Sequence, residues 1–417
     1  MRLPSEWLSS IFAMYVSSVN DAVYEAYAAF RRGGKVIIIA PFGEGKTTAI
    51  IPALVSHLTG RVVISVPYYT IAEVLMRQLL AAHPASEVLL LQGAERLCGL
   101  PTYFPQQCAS CRLPAAPPDG PAARKIPGSC AYKGQNAVLP RRRIIVKMHA
   151  KAYAPKDAAI ISDEYHIHYH GMIMIRQIQS AEELKALKFF LLSKAMSGDK
   201  KAAELLMLIS QIESGFAKVL RGDEEYPSVV WVRFPASDRV HMALTATPPR
   251  AASFDAAVEI EQKHKPRLYV VENVPTEMRL LDPELLSSLV KTLAAAHKSV
   301  ALFISETRLR MLRDSGKRLP PNVAAHSIWG DSSTGVTLSA DALVLTAPWL
   351  PPTAMQIPAA EEIVAAQALQ VLHRHRPNKF QNRTTYAAFN ARRIERDLAR
   401  WFELEYVSFD GEKLVKK

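Results

Sequence analysis

The 417-residue sequence is sparing with cysteine and spends all of it in one place: Cys98, Cys108, Cys111 and Cys130, with none elsewhere. It has no long apolar run. The longest, such as Val36 to Ala40, are strand-sized, whereas a membrane-spanning helix needs about 20 consecutive apolar residues. The N-terminal stretch carries Arg2, Glu6 and Asp21 around a short apolar segment with no clear cleavage site, so no secretory signal is expected. These absences argue against a membrane partner. They favour a cytoplasmic chain (in the nucleoid, or in host cytoplasm for a viral protein) in a reducing compartment, where disulfides are not the default use of cysteine. No internal repeat at a fixed period is present.

The chain is long for one domain and comfortable for two. At 49% hydrophobic residues it can bury large cores. Lysine and arginine number 51 against 39 aspartates and glutamates, a formal charge of +12. That surplus suits a polyanion, and nucleic acid is the usual one.

Short apolar segments alternate with helical patterns. Residues 1–34 read as helical, with Val16, Val19, Val23 and Tyr27 on one face. Strands are expected at 35–39, 61–66, 87–91, 144–146, 158–161 and 240–244, and a second series at 268–271, 300–304 and 342–345, with a helix over 282–296. Buried strands separated by crossovers mean parallel sheets. The expected organisation is α/β, with two parallel-sheet lobes: residues 1–97 with 141–260, and residues 261–417. Two insertions interrupt the first lobe, a Cys- and Pro-rich segment at 98–140 and a helical one at 178–222.

Ala40-Pro-Phe-Gly-Glu-Gly-Lys-Thr47 follows a strand and opens a helix. Gly43 and Gly45 let backbone N–H groups turn inward around phosphates, and the helix start adds partial positive charge. Lys46 would reach the β- and γ-phosphates and Thr47 would hold Mg²⁺. Glu44 and Thr48 belong to the same nucleotide-binding loop. Ile160-Ile-Ser-Asp-Glu-Tyr-His166 sets two carboxylates at the carboxyl end of a buried strand, the edge where parallel sheets bind ligands. Asp163 suits Mg²⁺, and Glu164 the attacking water. His166, His168 and His170 alternate, which favours a polar strand or loop face over a metal site.

A Cys-x9-Cys-x2-Cys-x18-Cys pattern in a reducing compartment points to a metal site. Zinc and an iron–sulfur cluster both fit. Arg112, Arg124, Lys125, Lys133, Arg141, Arg142, Arg143 and Lys147 lie close by, with Tyr103, Phe104 and Tyr132 among them. Cations interleaved with aromatic rings suit a single strand of nucleic acid.

The loop at Ala40–Thr47 resembles helicase motif I, Asp163-Glu-Tyr-His166 resembles the DExH box of motif II, and Thr245-Ala-Thr-Pro-Pro249 resembles motif III. Four cysteines between the first two motifs resemble the XPD/DinG family of superfamily 2 helicases. The resemblance implies two RecA-like lobes, a 4Fe–4S cluster on Cys98, Cys108, Cys111 and Cys130, and an arch insertion, shortened here, around 178–220. It also implies ATP and Mg²⁺ and movement 5′-to-3′ on single-stranded or forked DNA. Ser333-Thr-Gly-Val-Thr-Leu338 resembles motif V with threonines in place of the acids, and Ala347-Pro-Trp-Leu-Pro-Pro352 the Pro-rich turn after it. Motif VI is the weakest match. Gln367 to Arg374 keeps the outer Gln and Arg but has Gln370-Val371 at the Gly-Arg position. A shifted frame starts at Gln370 and runs through His373-Arg374 to Arg376. The implied arginine finger is therefore Arg374 or Arg376, and Gln367 or Gln370 the glutamine. His166 and these glutamines complete the implied nucleotide-binding set. Besides a helicase, two readings stay open: an ATPase that remodels nucleic-acid complexes without unwinding, and a nucleic-acid-binding module with a weak ATPase.

Overall fold

A computed structural model describes residues 12–98, 111–116, 120–124, 127–151, 153–175, 188–197, 199–220, 228–234, 237–262, 264–273, 283–316, 318–328, 338–350, 353–357, 359–377, 379–380 and 382–416. Two large sheets form around short, continuously apolar strands. The first holds β1 (Phe12–Val16), β2 (Val36–Ile39), β3 (Arg61–Val66), β4 (Val88–Leu91), β5 (Ile144–Met148), β6 (Ala158–Ser162), β10 (Met242–Thr245) and β11 (Ala256–Ile260). Their order is β1-β11-β2-β10-β6-β3-β5-β4, and every pairing is parallel. A parallel sheet is covered on both faces, so its strands read as apolar runs rather than alternations. Val36, Ile37, Ile38 and Ile39 are all fully buried.

The second sheet follows the order β14-β13-β15-β16-β12-β17-β18. Its strands are β12 (Arg267–Val271), β13 (Val300–Ile304), β14 (Val323–Ser327), β15 (Ala342–Thr346), β16 (Thr384–Ala388), β17 (Glu403–Phe409) and β18 (Leu414–Lys416). It is parallel except for the β17–β18 edge. The fold is thus α/β with two RecA-like lobes. Their cores are continuous: one apolar cluster runs from Ile37 and Val63 through Phe42 and Phe254 to Trp401 and Leu343.

Three features differ from the sequence expectation. Residues 12–16 are a strand, not the start of a helix; the helix begins at Val19, capped by the Ser18 side chain, which accepts from Asp21 N. The insertion after the acidic pair is not only helical. The helices Lys188–Met196 and Lys200–Glu213 pack on a three-stranded antiparallel sheet of β7 (Met172–Ile175), β9 (Val229–Val232) and β8 (Ala217–Leu220). The chain enters this insertion through Gly171 (φ 79°, ψ −169°), a conformation open essentially to glycine alone. A Cβ there would overlap the Val232 carbonyl oxygen.

Third, the alternating histidines are neither strand nor loop. Glu164 adopts a left-handed backbone (φ 46°), and Tyr165–His170 turn as a short helix with His166, His168 and His170 all buried. A six-residue helix sets His166 and His170, four apart, on one side. Cys108, Tyr103, Phe104, Lys125 and the Ser333–Thr337 segment lie outside the described residues. No helix of the described chain is long and apolar enough to cross a membrane.

Candidate active site

Sheet order places the sequence motifs side by side. The strand β10 lies between β2 and β6, with Thr245 opposite Ile39 and Ala243 opposite Ser162. The phosphate loop, Thr245 and the acidic pair therefore leave three neighbouring strands at the same carboxyl edge, where an open parallel sheet receives its ligand.

Gly43 (φ 84°) and Gly45 (φ 78°) are both left-handed, as a loop folding its amides around an anion requires. The helix opens with a wide turn over Lys46–Ile50, in which the amides of Ala49 and Ile50 both donate to the Gly45 carbonyl (2.7 and 3.1 Å). Lys46 is 6% exposed, and its Nζ stands 4.0 Å from Glu164 Oε1 and 4.9 Å from the Phe42 ring centroid. Thr47 Oγ1 donates to Asp163 Oδ2 at 2.5 Å, while Asp163 Oδ1 accepts from the Glu164 amide. Burial first, and then the Glu164 charge, push the Asp163 carboxyl up to about 7; the Thr47 hydrogen bond and the Lys46 charge pull the other way.

His166 stands behind the carboxylates. Its Nδ1 lies 3.1 Å from Thr245 Oγ1 and 3.6 Å from Glu164 Oε2, and its Nε2 lies 3.3 Å from Gln370 Nε2. Burial lowers the imidazole to about 4, so it is neutral at ordinary pH. An amide N–H can only donate, which makes Nε2 the acceptor and leaves the proton on Nδ1.

The second lobe closes the site. Gln370, His373, Arg374, Arg376 and Lys379 face the phosphate loop across a cleft of about 620 Å³, which Gly43, Glu44, Gly45, Lys46, Thr47, Thr48 and Glu164 line from the first lobe. The His373 ring stacks on Phe42 with centroids 4.5 Å apart. Burial lowers the Arg374 guanidinium to about 10, still a cation at neutral pH, with Glu164 opposing the shift. Arg376 adopts a left-handed backbone (φ 53°). Both candidate finger arginines thus reach the cleft. Of the two glutamines, Gln370 lies in it, while Gln367 donates to the Ile328 carbonyl and is absent from its walls. Two buried oxygens of the cleft, Glu164 Oε2 and Gln370 Oε1, find no hydrogen-bond partner among the described residues.

Sequence reasoning missed Tyr68, Thr70, Ile71, Val74 and Lys379, which also line the cleft. Tyr68 follows the carboxyl end of β3, at the same sheet edge, and that placement was a usable signal. Nothing in the sequence marks Lys379.

Several members of the basic cluster are engaged within the protein. Arg142 donates to the Ala85 and Ser86 carbonyls. Arg143 pairs with Glu87 at 2.7 Å and donates to the Leu58 carbonyl. Both sit just before β5, at the amino edge of the sheet and opposite the cleft. Lys147 is fully buried and donates to the Lys151 carbonyl, with desolvation lowering its amine to about 8. Arg141 and Arg124 remain exposed.

In the cysteine segment, Cys98 ends the short helix Ala94–Leu97 and Cys130 caps the helix Ala131–Val138. The two helices meet through Leu97, Ala123 and Ala131. Lys133 ties the segment together: its amide donates to Cys130 Sγ and its Nζ to the Cys111 carbonyl. Among the described residues, no three cysteine, histidine or carboxylate side chains are gathered as a metal's ligands.

No family model matches the chain, and no curated protein does. Solved structures do. An XPD helicase structure superposes with a TM-score of 0.62 at 12% identity, covering 97% of this chain and 100% of that one. An apo XPD structure gives 0.55 at 10% identity, over 93% of this chain and 100% of that one. Xpd4 of S. tokodaii gives 0.50 at 13% identity, over 93% and 99%. The chain shares the fold of the XPD helicase structures along nearly its whole length.

Proposed function

We propose that the protein is an ATP-driven motor acting on nucleic acid, a superfamily 2 helicase or translocase of the XPD/DinG kind. One observation carries this reading: Lys46, Thr47 and Glu164 from one RecA-like lobe face Gln370, Arg374 and Arg376 from the other across a single cleft, with Asp163 buried behind Thr47. ATP would lie in that cleft with its phosphates on the loop amides and on Lys46. The Thr47 hydroxyl and Asp163 carboxylate are hard oxygen donors already side by side, a set that fits Mg²⁺. When bound, that ion would neutralise charge on the phosphate oxygens. Glu164 Oε2 and Gln370 Oε1, buried acceptors without a partner among the described residues, suit the two protons of an attacking water. Arg374 or Arg376 would stabilise charge developing on the transferred phosphoryl group.

Because the glutamine and arginines belong to the second lobe, hydrolysis requires closed lobes and release permits opening, which converts turnover into movement along a strand. Single-stranded or forked DNA is the proposed track, with 5′-to-3′ polarity from the XPD resemblance. A strand-displacement assay on duplexes carrying a single 5′ or a single 3′ tail tests it. Unwinding only with a 5′ tail supports the reading; unwinding only with a 3′ tail overturns the polarity. Among the described residues, the insertion is a two-helix hairpin on three strands. That compactness favours a second reading, remodelling of nucleic-acid complexes, and ATP turnover without strand displacement would select it.

The four cysteines are proposed to hold a 4Fe–4S cluster, with zinc as the alternative. Cys98 and Cys130 flank two short helices that pack together outside the cleft, and Lys133 Nζ donates to the Cys111 carbonyl, which supports a stapling role. Iron and labile sulfide in near-equal amounts in protein purified without oxygen support the cluster; stoichiometric zinc overturns it.

A further inference from the structure

The contact between His166 and Gln370 has a counterpart at the other end of the same short helix. His170 Nε2 lies 3.1 Å from Glu362 Oε2, and that oxygen also accepts the Arg250 amide at 3.0 Å. The Arg250 guanidinium stands 3.8 Å from Glu362 Oε1 and reaches Asp397 Oδ2 at 3.2 Å. His170 and Arg250 belong to the first lobe; Glu362 and Asp397 belong to the second. Glu362 sits in the first turn of the helix Ala360–Leu372, which also carries Gln370.

One second-lobe helix therefore grips the helix Tyr165–His170 through two histidines on one side: Gln370 on His166 and Glu362 on His170. The grip reaches the chemistry directly, because Glu164 immediately precedes this helix in a left-handed turn. Arg250, three residues beyond Thr247, brings the segment after Thr245 into the same contact. Glu362 is only 18% exposed and His170 9%. Burial alone would raise the Glu362 carboxyl, yet the His170 hydrogen bond, the Arg250 amide and their charges together hold it below the ordinary carboxylate range. A carboxylate in such a place is costly without partners, and its partners lie across the lobe boundary. Separation of the lobes takes them away.

We infer that Glu362 is a positioning residue: by binding His170 and Arg250 only when the lobes close, it fixes the Tyr165–His170 helix and with it the orientation of Glu164. This inference rests on the proposed ATPase reading of the cleft. Glu362 is not among the residues that line it.

The test uses the full chain with the substitutions Glu362→Gln, Glu362→Ala, His170→Ala and the double variant His170→Ala/Glu362→Ala. Glu362→Gln keeps the side-chain volume and guards against a packing loss. With single-stranded DNA present, kcat for ATP hydrolysis in both Glu362 variants should fall about tenfold while KM stays within about twofold. The double variant should be no slower than the slower single one, since the two residues act as a unit. Amide hydrogen exchange across residues 165–171 should quicken in Glu362→Ala, a readout that does not depend on turnover. Unchanged kcat in both Glu362 variants, a change confined to KM, multiplicative losses in the double variant, or unchanged exchange would each overturn the inference. A wild-type chain that hydrolyses no ATP would instead defeat the ATPase reading, and the exchange measurement would still decide whether Glu362 holds this helix.

Discussion

The Gln370 side-chain amide donates to His166 Nε2 across the lobe boundary, at 3.3 Å. His166 in turn faces Thr245 Oγ1 at 3.1 Å, and Thr245 donates to the Thr247 carbonyl. Three segments far apart in sequence thus share one buried hydrogen-bonded line directly behind Glu164. Gln370→Ala removes the second-lobe member of that line and one of the buried acceptors of the cleft that lack a partner among the described residues. Steady-state kinetics should show kcat lowered by about 10- to 100-fold, with ATP affinity little changed because the phosphate loop is intact. A rise in KM at unchanged kcat would mean that Gln370 serves binding alone.

Gly171 makes the clearest stability prediction. An alanine Cβ would overlap the Val232 carbonyl oxygen, in a backbone conformation that side chains avoid. Strain and overlap together should cost roughly 2–4 kcal/mol. Denaturant unfolding of Gly171→Ala should show a lower midpoint. A wild-type midpoint would mean that β7 and β9 do not pair as described.

Acid sensitivity follows from the buried histidines. Burial holds His166 at about 4, His373 at about 3 and His375 at about 4, and puts His149 well below its ordinary value. Unfolded histidines titrate near ~6.5. Between that pH and about 4, the unfolded chain takes up protons that the folded chain refuses, so stability falls as pH falls through this window and is fully present above it. His373→Phe keeps a ring stacked on Phe42 and tilted against Phe402 but removes one titrating group. Thermal melts from pH 7 to pH 4.5 should show a shallower decline for this variant than for wild type. Parallel declines would contradict the assignment of His373 as a buried neutral base.

The parts of the site legible in the sequence were those made by local pattern. The phosphate loop is contiguous, and each carboxyl-edge residue follows a short apolar strand that no solvent-facing element would tolerate. Parts made by phase or direction were not legible. Phe12–Val16 reads as helix because Val16 falls in step with Val19, Val23 and Tyr27, yet pairing with β11 takes it into the sheet. The alternating histidines have the period of a strand, and only the left-handed turn at Glu164 makes them a helix. Choosing Gln370 over Gln367 needs the tertiary placement of the helix Ala360–Leu372, since the two lie about a turn apart on neighbouring positions and only their partners, His166 for Gln370 and the Ile328 carbonyl for Gln367, tell them apart. Arg142 and Arg143 show the limit of charge counting: the count does not reveal that their guanidiniums are held by backbone carbonyls and Glu87.

ATP turnover measured with and without single-stranded DNA, for wild type, Lys46→Ala and Glu164→Gln, tests the role of this cleft most directly. Wild type should hydrolyse ATP faster with DNA present. Lys46→Ala should lose at least about 100-fold in rate while folding normally. Glu164→Gln should still bind ATP but turn it over about 10²- to 10⁴-fold more slowly, because the amide keeps the shape and cannot accept a proton. Hydrolysis by Lys46→Ala at the wild-type rate, or a wild-type rate indifferent to DNA, would contradict the claim that this cleft drives a nucleic-acid motor.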